Sequence, residues 1–366
     1  MSEPGSDPAT LPEPHPTLRT RFCELTGVRY PIVQTGMGWV AGPRLVAATA
    51  AAGALGILAS ATMTIHDLEQ AIAQVRERTD RPFGVNLRTD VADVNDRISL
   101  MIDAGARVAS FAQAPSPALV NRCREAGLVV MPTIGARRHA VKVAEWGVDA
   151  VIAQGAEGGG HTGTVPTSLL LPEVVDAIGD RVVVLAAGGY FDGRGLVAAL
   201  AYGADGIAMG TRFLLTADSR VPDGVKNQYL ATTVTGTVVT TKVDGAPQRV
   251  IRTDLVDHLE RASWLRNLPR ALSSARTFRQ ETKTSLPALL REGRAMKQGN
   301  ELTWPQVVMA ANAPVMTKAA LVEGRTDVGV LPTGQVVGVI DGLPSVAELI
   351  GRIVTVANQT LERLST

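Results

Sequence analysis

The segment Ala153-Gln-Gly-Ala-Glu-Gly-Gly-Gly-His-Thr-Gly163 presents one titratable ring behind three consecutive glycines. An imidazole with an ordinary pKa near 6.5 can give or take a proton around neutrality, which makes His161 a candidate general acid or base. Glycines at its approach let backbone come close to a flat ligand, so Gly159 and Gly160 are candidate ligand contacts. Gly158 to Gly163 also satisfies G-x-G-x-x-G, the pattern of a dinucleotide loop, but that loop should open a helix directly. Here Thr164-Val-Pro-Thr167 intervenes and Pro166 delays the helical pattern to about Leu169. No Lys-Ser/Thr pair completes a phosphate loop, no G-x-S-x-G elbow presents a nucleophile, and no histidines are paired for a metal. His15, His66, His139 and His258 lack such a setting and read as incidental. Glu157 is a second acid in the loop, either solvated or orienting backbone amides.

Two further stretches belong to the same chemistry. Leu185-Ala-Ala-Gly-Gly189 and Ala208-Met-Gly-Thr-Arg212 each end an apolar run in small residues. Adjacent loops of this kind can bind a phosphate through backbone N–H groups and the start of the next helix. The alternative is a pair of tight turns. Asn86, polar at the end of an apolar run, and Gln154 either bond a ligand edge or satisfy neighbouring backbone. Nine basic residues between 261 and 297 face only Glu281 and Glu292. That run, with Arg266, Arg270 and Arg276 near its centre, is either a solvated helix face or a surface for phosphates.

Something must hold these loops at one end of a scaffold. From Tyr30 to about Leu215 the chain repeats a short apolar run, a small-residue loop and an amphipathic helix. Strands are expected at 31–36, 55–59, 83–87, 108–111, 129–133, 150–153, 182–186 and 206–209. Helices are expected at 66–78, 94–104, 117–126, 136–146, 171–178 and 194–202, with Gly105, Gly127, Gly147 and Gly203 closing four of them. Uniformly apolar strands indicate a parallel sheet covered by helices, and eight of them indicate an α/β fold of the TIM (β/α)8 barrel type. An open doubly wound sheet is the second choice. In a barrel the glycine-rich loops all fall after strand C-termini, where the chemistry of this fold collects.

The chain divides on this reading into a disordered Pro-rich tail at 1–19, the barrel at 20–217, a smaller, mainly helical substrate or lid domain at 218–310, and a segment closing the barrel at 311–366. With 366 residues, 45% hydrophobic and 19% charged, a disordered or collagen-like chain is excluded. Thirty-six basic and thirty-five acidic residues leave a net charge of +1, so no global field favours nucleic acid or an anionic membrane. Cys23 and Cys123 stand far apart without metal-ligand spacing, which fits a reducing cytoplasm. The N-terminus lacks the basic and then apolar pattern of a secretory signal, and the apolar run Ala50 to Met63 is too short to cross a bilayer.

The stretches PIVQTGMGWVAGPRLVAATAAAGALGILAS, PFGVNLR, IAQGAEGGGHTG, VLAAGGYFDGRGLVAALAYGADGIAMGTRFLLT and LPTGQVVGVIDGLP occur in an order that resembles the nitronate monooxygenase family, once called 2-nitropropane dioxygenases. The resemblance runs from about residue 20 onward. Within the family, QTGMGWVAG, LASATMT, EGGGHTG, VVTTKVDG and ELTWPQVVMAAN are most similar to a steroid-catabolism branch of flavin-dependent reductases. It implies a TIM barrel holding FMN, with Gly36, Met37 and Gly38 lining the ring and Asn86 and Gln154 at its polar edges. It further implies that Gly188, Gly189, Gly210 and Thr211 bind the phosphate and that His161 is the catalytic histidine. The implied function is an NADH- or NADPH-dependent reductase of a steroid-derived hydroxy-oxo-indene carboxyl-CoA thioester. The alternatives are a nitronate monooxygenase using O2 and a non-catalytic flavin-binding module. The glycine-rich approach to His161 implies room for a substrate larger than a nitronate. The expected partners are small molecules; a homodimer is compatible with the pattern.

Overall fold

The computed structural model describes residues 11–89, 91–261 and 312–365. Eight parallel strands close into a barrel: β1 (Ile32–Gln34), β2 (Leu55–Ala59), β3 (Phe83–Leu87), β4 (Val108–Phe111), β5 (Val129–Ile134), β6 (Ala150–Gln154), β8 (Val183–Ala187) and β9 (Gly206–Met209). The two-residue β7 (Gly160–His161) lies outside it. Closure is made by β9 on β1, with Ile207 opposite Ile32 and Ala208 opposite Val33. That pairing decides between the barrel and the open sheet.

The strands are predominantly apolar because both faces are covered. Val33, Ile57, Val108, Met131, Ile152 and Leu185 fill the interior, while their neighbours Ile32, Leu58, Val130, Val151 and Val184 pack beneath the helices. Each fully buried aliphatic side chain stabilises the fold by roughly 1.5–3 kcal/mol. The helices follow the amphipathic pattern, and Gly105, Gly127, Gly147 and Gly203 end four of them at φ between +66° and +87°. The N-terminal end of the barrel is sealed by α1 (Arg21–Thr26), whose Phe22 joins the interior cluster. Arg21 fixes the seal with two bonds to the Asp205 carboxylate, at 2.9 and 2.8 Å.

Three expectations need correction. Residues 11–19 are not a solvated tail: Leu18 is buried, the Tyr30 hydroxyl donates to the Pro12 carbonyl at 2.6 Å, and the His15 N–H donates to Asn358 at 2.9 Å. Prolines deny this stretch a long helix without denying it an apolar anchor. The helix expected to begin at Leu171 begins at Thr167 and contains Pro172. The described part of the second unit, 218–261, is not mainly helical. Between α10 (Asp223–Leu230) and α11 (Asp254–Arg261) lies the hairpin of β10 (Thr237–Thr240) and β11 (Gln248–Ile251). The threonine-rich run forms a strand because β-branched side chains suit a pleated surface. The hairpin does not stand apart from the barrel, since β11 pairs antiparallel with β7 and places Gln248 opposite His161. Residues 262–310, with most of the basic run, lie outside the described residues.

The C-terminal helix Val346–Ser365 packs on α8 (Gly193–Ala201) and α2 (Pro43–Ala51). Its approach to α8 is so close that a Cβ on Gly193 would lie 2.2 Å from the Ile353 carbonyl oxygen. Among the described residues no helix is long and apolar enough to cross a membrane, and no cluster of three metal-ligating side chains occurs.

Candidate active site

The barrel brings the glycine-rich segments to its C-terminal end. Gly36, Met37 and Gly38 follow β1, Asn86 lies within β3, Gln154 ends β6, Gly188 and Gly189 follow β8, and Gly210 and Thr211 lead from β9 into α9 (Thr211–Leu214). Gly159, Gly160 and His161 reach the same end through the loop after β6. Arg266, Arg270 and Arg276 lie outside the described residues.

Local contacts explain much of this spacing. A Cβ on Gly36 would meet that of Asn86 at 2.4 Å, so the β1 loop can cross β3 only as glycine. The Asn86 amide donates to the Ser110 hydroxyl at 3.3 Å. Trp39 is the one non-glycine residue with positive φ among the described residues, at +66°. A bulky side chain adopts that backbone only when held there. Its indole N–H donates to the Pro314 carbonyl at 3.0 Å, and the Lys318 ammonium sits 5.5 Å from its ring centroid. The β1 loop is thereby tied to the helix Asn312–Leu321.

The histidine loop is held from several sides. Gln154 donates from its amide to the His161 carbonyl at 2.8 Å, so part of the group expected at a ligand edge is committed to the loop. The Glu157 carboxylate accepts from the Thr167 backbone N–H at 3.0 Å and from its hydroxyl at 2.6 Å. It orients backbone amides at the start of α7 (Thr167–Ile178), the second of the two roles open to it. The segment Thr333–Gln335 straps across the loop: Gln335 N–H donates to the Glu157 carbonyl at 3.0 Å, and Gly334 N–H donates to the Thr211 hydroxyl at 2.9 Å. The Thr211 hydroxyl therefore serves the strap. Gly159 lies under it, where a Cβ would come within 2.4 Å of the Thr333 carbonyl carbon. Arg212, buried, donates to the Gly342 carbonyl at 2.8 Å, and burial lowers its guanidinium to about 10. Its charge faces the C-terminal segment.

At the loop tip, His161 Nε2 lies 2.7 Å from Asp244 Oδ2. The imidazole is 63% exposed and the carboxylate 5%. The hydrogen bond to Asp244 holds the ring above its ordinary value, against partial desolvation and the Arg88 guanidinium, which act the other way. Sequence reasoning missed Asp244, 83 residues downstream. Its signal was the Asp-Gly pair in VVTTKVDG, a hairpin turn between β-branched runs.

A recess of about 550 Å³ opens at the opposite end of the barrel, lined by Arg21, Glu24, Arg124, Asp149 and Arg181 among others. Arg21 is paired with Asp205 and Arg124 with Asp149. It presents neither the glycine loops nor the histidine.

A closed (β/α)8 barrel with a carboxylate-paired histidine among its C-terminal loops defines a class of barrel whose chemistry sits at that end. The nitronate monooxygenase family model matches residues 19–355, and the chain belongs to that family of oxidoreductases. It is 59% identical over 349 residues, covering 95% of this chain and 98% of the relative, to a Mycobacterium tuberculosis protein named (3aS,4S,5R,7aS)-5-hydroxy-7a-methyl-1-oxo-octahydro-1H-indene-4-carboxyl-CoA dehydrogenase. A Rhodococcus jostii protein of the same name is 56% identical, over 95% of this chain and 98% of its own length. The solved structure of FabK from Thermotoga maritima superposes with a TM-score of 0.76 at 32% identity, covering 95% of this chain and 98% of that one.

Proposed function

We propose that this protein is an FMN-dependent oxidoreductase acting on a hydroxy-oxo-indene carboxyl-CoA thioester, with NADH or NADPH as the nicotinamide partner. The similarity, along nearly the whole chain, to relatives named for dehydrogenating that thioester carries the reading. The residues at the mouth fit the cofactor. Gly188 and Gly189 both have positive φ, at +99° and +85°, and no side chains, which suits a backbone that wraps phosphate oxygens. At the start of α9 the Phe213 and Leu214 N–H groups bond the Gly210 carbonyl, and those of Thr211 and Arg212 have no backbone acceptor among the described residues. Gly36, Met37 and Gly38 would lie along the ring, with Asn86 and Gln154 toward its polar edges. Gln34 at the end of β1 carries a buried amide oxygen with no partner among the described residues, as a site awaiting a polar-edged ring would.

The cofactor supplies a two-electron carrier for hydride transfer. The chain supplies position and the proton. In the reductive direction His161 gives a proton to the carbon beside the thioester carbonyl as hydride reaches the conjugated carbon, and one C=C bond becomes C–C. In the dehydrogenase direction it removes that proton. Gln154 and the strap hold the loop that carries the ring, and the small side chains before it leave space for a fused-ring acyl group. The basic segment containing Arg266, Arg270 and Arg276 would meet the CoA phosphates.

The family match itself favours a second reading, oxidation of a nitronate with O2. Anaerobic mixing separates the two: NADH or NADPH should bleach the bound flavin and an alkyl nitronate should not. Bleaching by nitronate alone would overturn the proposal. The variant His161→Ala should keep yellow flavin and lose roughly 10²–10⁴-fold in turnover of the thioester. Undiminished turnover would remove His161 from the reaction.

A further inference from the structure

The small sheet has no part in closing the barrel, yet it fixes the environment of the histidine. Its strand β11 pairs with β7 at Gln248–His161 and Arg249–Gly160, and the turn before β11 delivers Asp244. That turn is itself held: Asp244 Oδ1 accepts from the Ala246 N–H at 3.1 Å, Gly245 N–H donates to the Thr241 carbonyl at 2.9 Å, and the Asn312 amide donates to the Val243 carbonyl at 3.0 Å. One carboxylate oxygen thus belongs to the turn and the other to the ring. No described residue hydrogen-bonds His161 Nδ1.

We propose that Asp244 is the positioning residue of the site: it takes the Nε2–H of His161, fixes the tautomer and orientation of the ring, and leaves Nδ1 as the atom that exchanges a proton with substrate. This rests on the catalytic reading of His161. In the reductive direction the Nδ1–H bond breaks as the substrate C–H bond forms, and the ring remains as the neutral Nε2–H tautomer bonded to Asp244. Solvent then returns a proton to Nδ1. A lone imidazole would divide its neutral form between two tautomers, and only one of them leaves Nδ1 free to accept. A buried carboxylate at 2.7 Å selects one.

Among the described residues, the charged groups acting on the ring are Asp244 from the hairpin and Arg88 beyond β3; Gln154 on β6 and Gln248 on β11 are neutral. The carboxylate bond raises the folded value, so the protonated ring persists above the ordinary pH of about 6.5 and is lost as pH rises through the raised value. Reductive turnover should hold across that interval and then fall. With Asp244→Asn the raising contribution of the carboxylate is lost, and the fall should begin at lower pH.

The experiment uses holoprotein with isotopically labelled histidine, in which the His161 signal is identified by its loss in His161→Ala. In the unaltered protein the ring should titrate above about 6.5, and its nitrogen shifts at high pH should report the Nε2–H tautomer. In Asp244→Asn, which keeps an oxygen to accept from Ala246, the midpoint should fall. The basic limb of the rate profile should move with it, with kcat reduced more than KM, and Asp244→Glu should restore part of both. An Nδ1–H tautomer in the unaltered protein, or an unmoved midpoint in Asp244→Asn, would overturn the proposal. Full turnover in His161→Ala with the expected titration shifts would instead sink the catalytic reading and leave the pair standing.

Discussion

Replacing Gly159 and then Gly160 by alanine separates two costs that a glycine run conceals. Gly159 has no positive φ, so an alanine there meets a steric cost alone: its Cβ would lie 2.4 Å from the Thr333 carbonyl carbon and 2.5 Å from the Gly334 nitrogen. Both are backbone atoms, and the strap must move. Overpacking of this kind costs about 1–3 kcal/mol. Displacing the strap also weakens the Gly334–Thr211 and Gln335–Glu157 bonds, at roughly 0.5–1.5 kcal/mol each. The expected loss for Gly159→Ala is therefore about 2–6 kcal/mol. Gly160 is the reverse situation, with φ +66° and nothing within 4 Å of its Cβ position. Gly160→Ala should cost only the left-handed backbone, about 1–2 kcal/mol. Denaturant unfolding of both variants, read from midpoints at constant m, measures the difference. A Gly160 variant as unstable as the Gly159 variant, or a Gly159 variant within 1 kcal/mol of the parent, as a rough threshold, would refute the strap geometry.

Two further outcomes follow from buried groups. Asp205→Ala should destabilise by about 1–3 kcal/mol, because its Oδ2 accepts from the buried Val184 N–H at 2.9 Å as well as from Arg21; an unchanged midpoint would mean that water replaces the carboxylate. Of the two cysteines, Cys123 is fully buried and burial raises its thiol to about 11. A thiol reagent should label half-exposed Cys23 in the native protein and Cys123 only on unfolding, as peptide mapping of the labelled chain would check.

The barrel was legible because its signal is local. Phe83–Leu87 and Val108–Phe111 are apolar but for Asn86 and Ser110 and buried at every position, and both occur as expected. The start of α7 was not legible, because its first amide is satisfied by Glu157, ten residues upstream, and local sequence does not display that bond. The position of His161 at the catalytic end followed from strand order and loop composition. Its partner did not, since an aspartate in a threonine-rich turn resembles many solvated turns until β11 lies against β7. The docking of residues 11–19 escaped for a similar reason: their anchor, Asn358, belongs to the other end of the chain.

The hairpin that holds Asp244 enters the chain only after the last barrel strand, which ends at Met209. The scaffold and the proposed positioning group are thus separate stretches of chain, joined at β7 and again where Thr333 N–H donates to the Arg249 carbonyl and Ile251 N–H to the Leu331 carbonyl. Substitutions at Asp244 and its turn bear on the histidine without touching the strands that close the barrel. In an evolving or engineered lineage, such a scaffold could change chemistry through the hairpin Thr237–Ile251 while the eight barrel strands stay as they are.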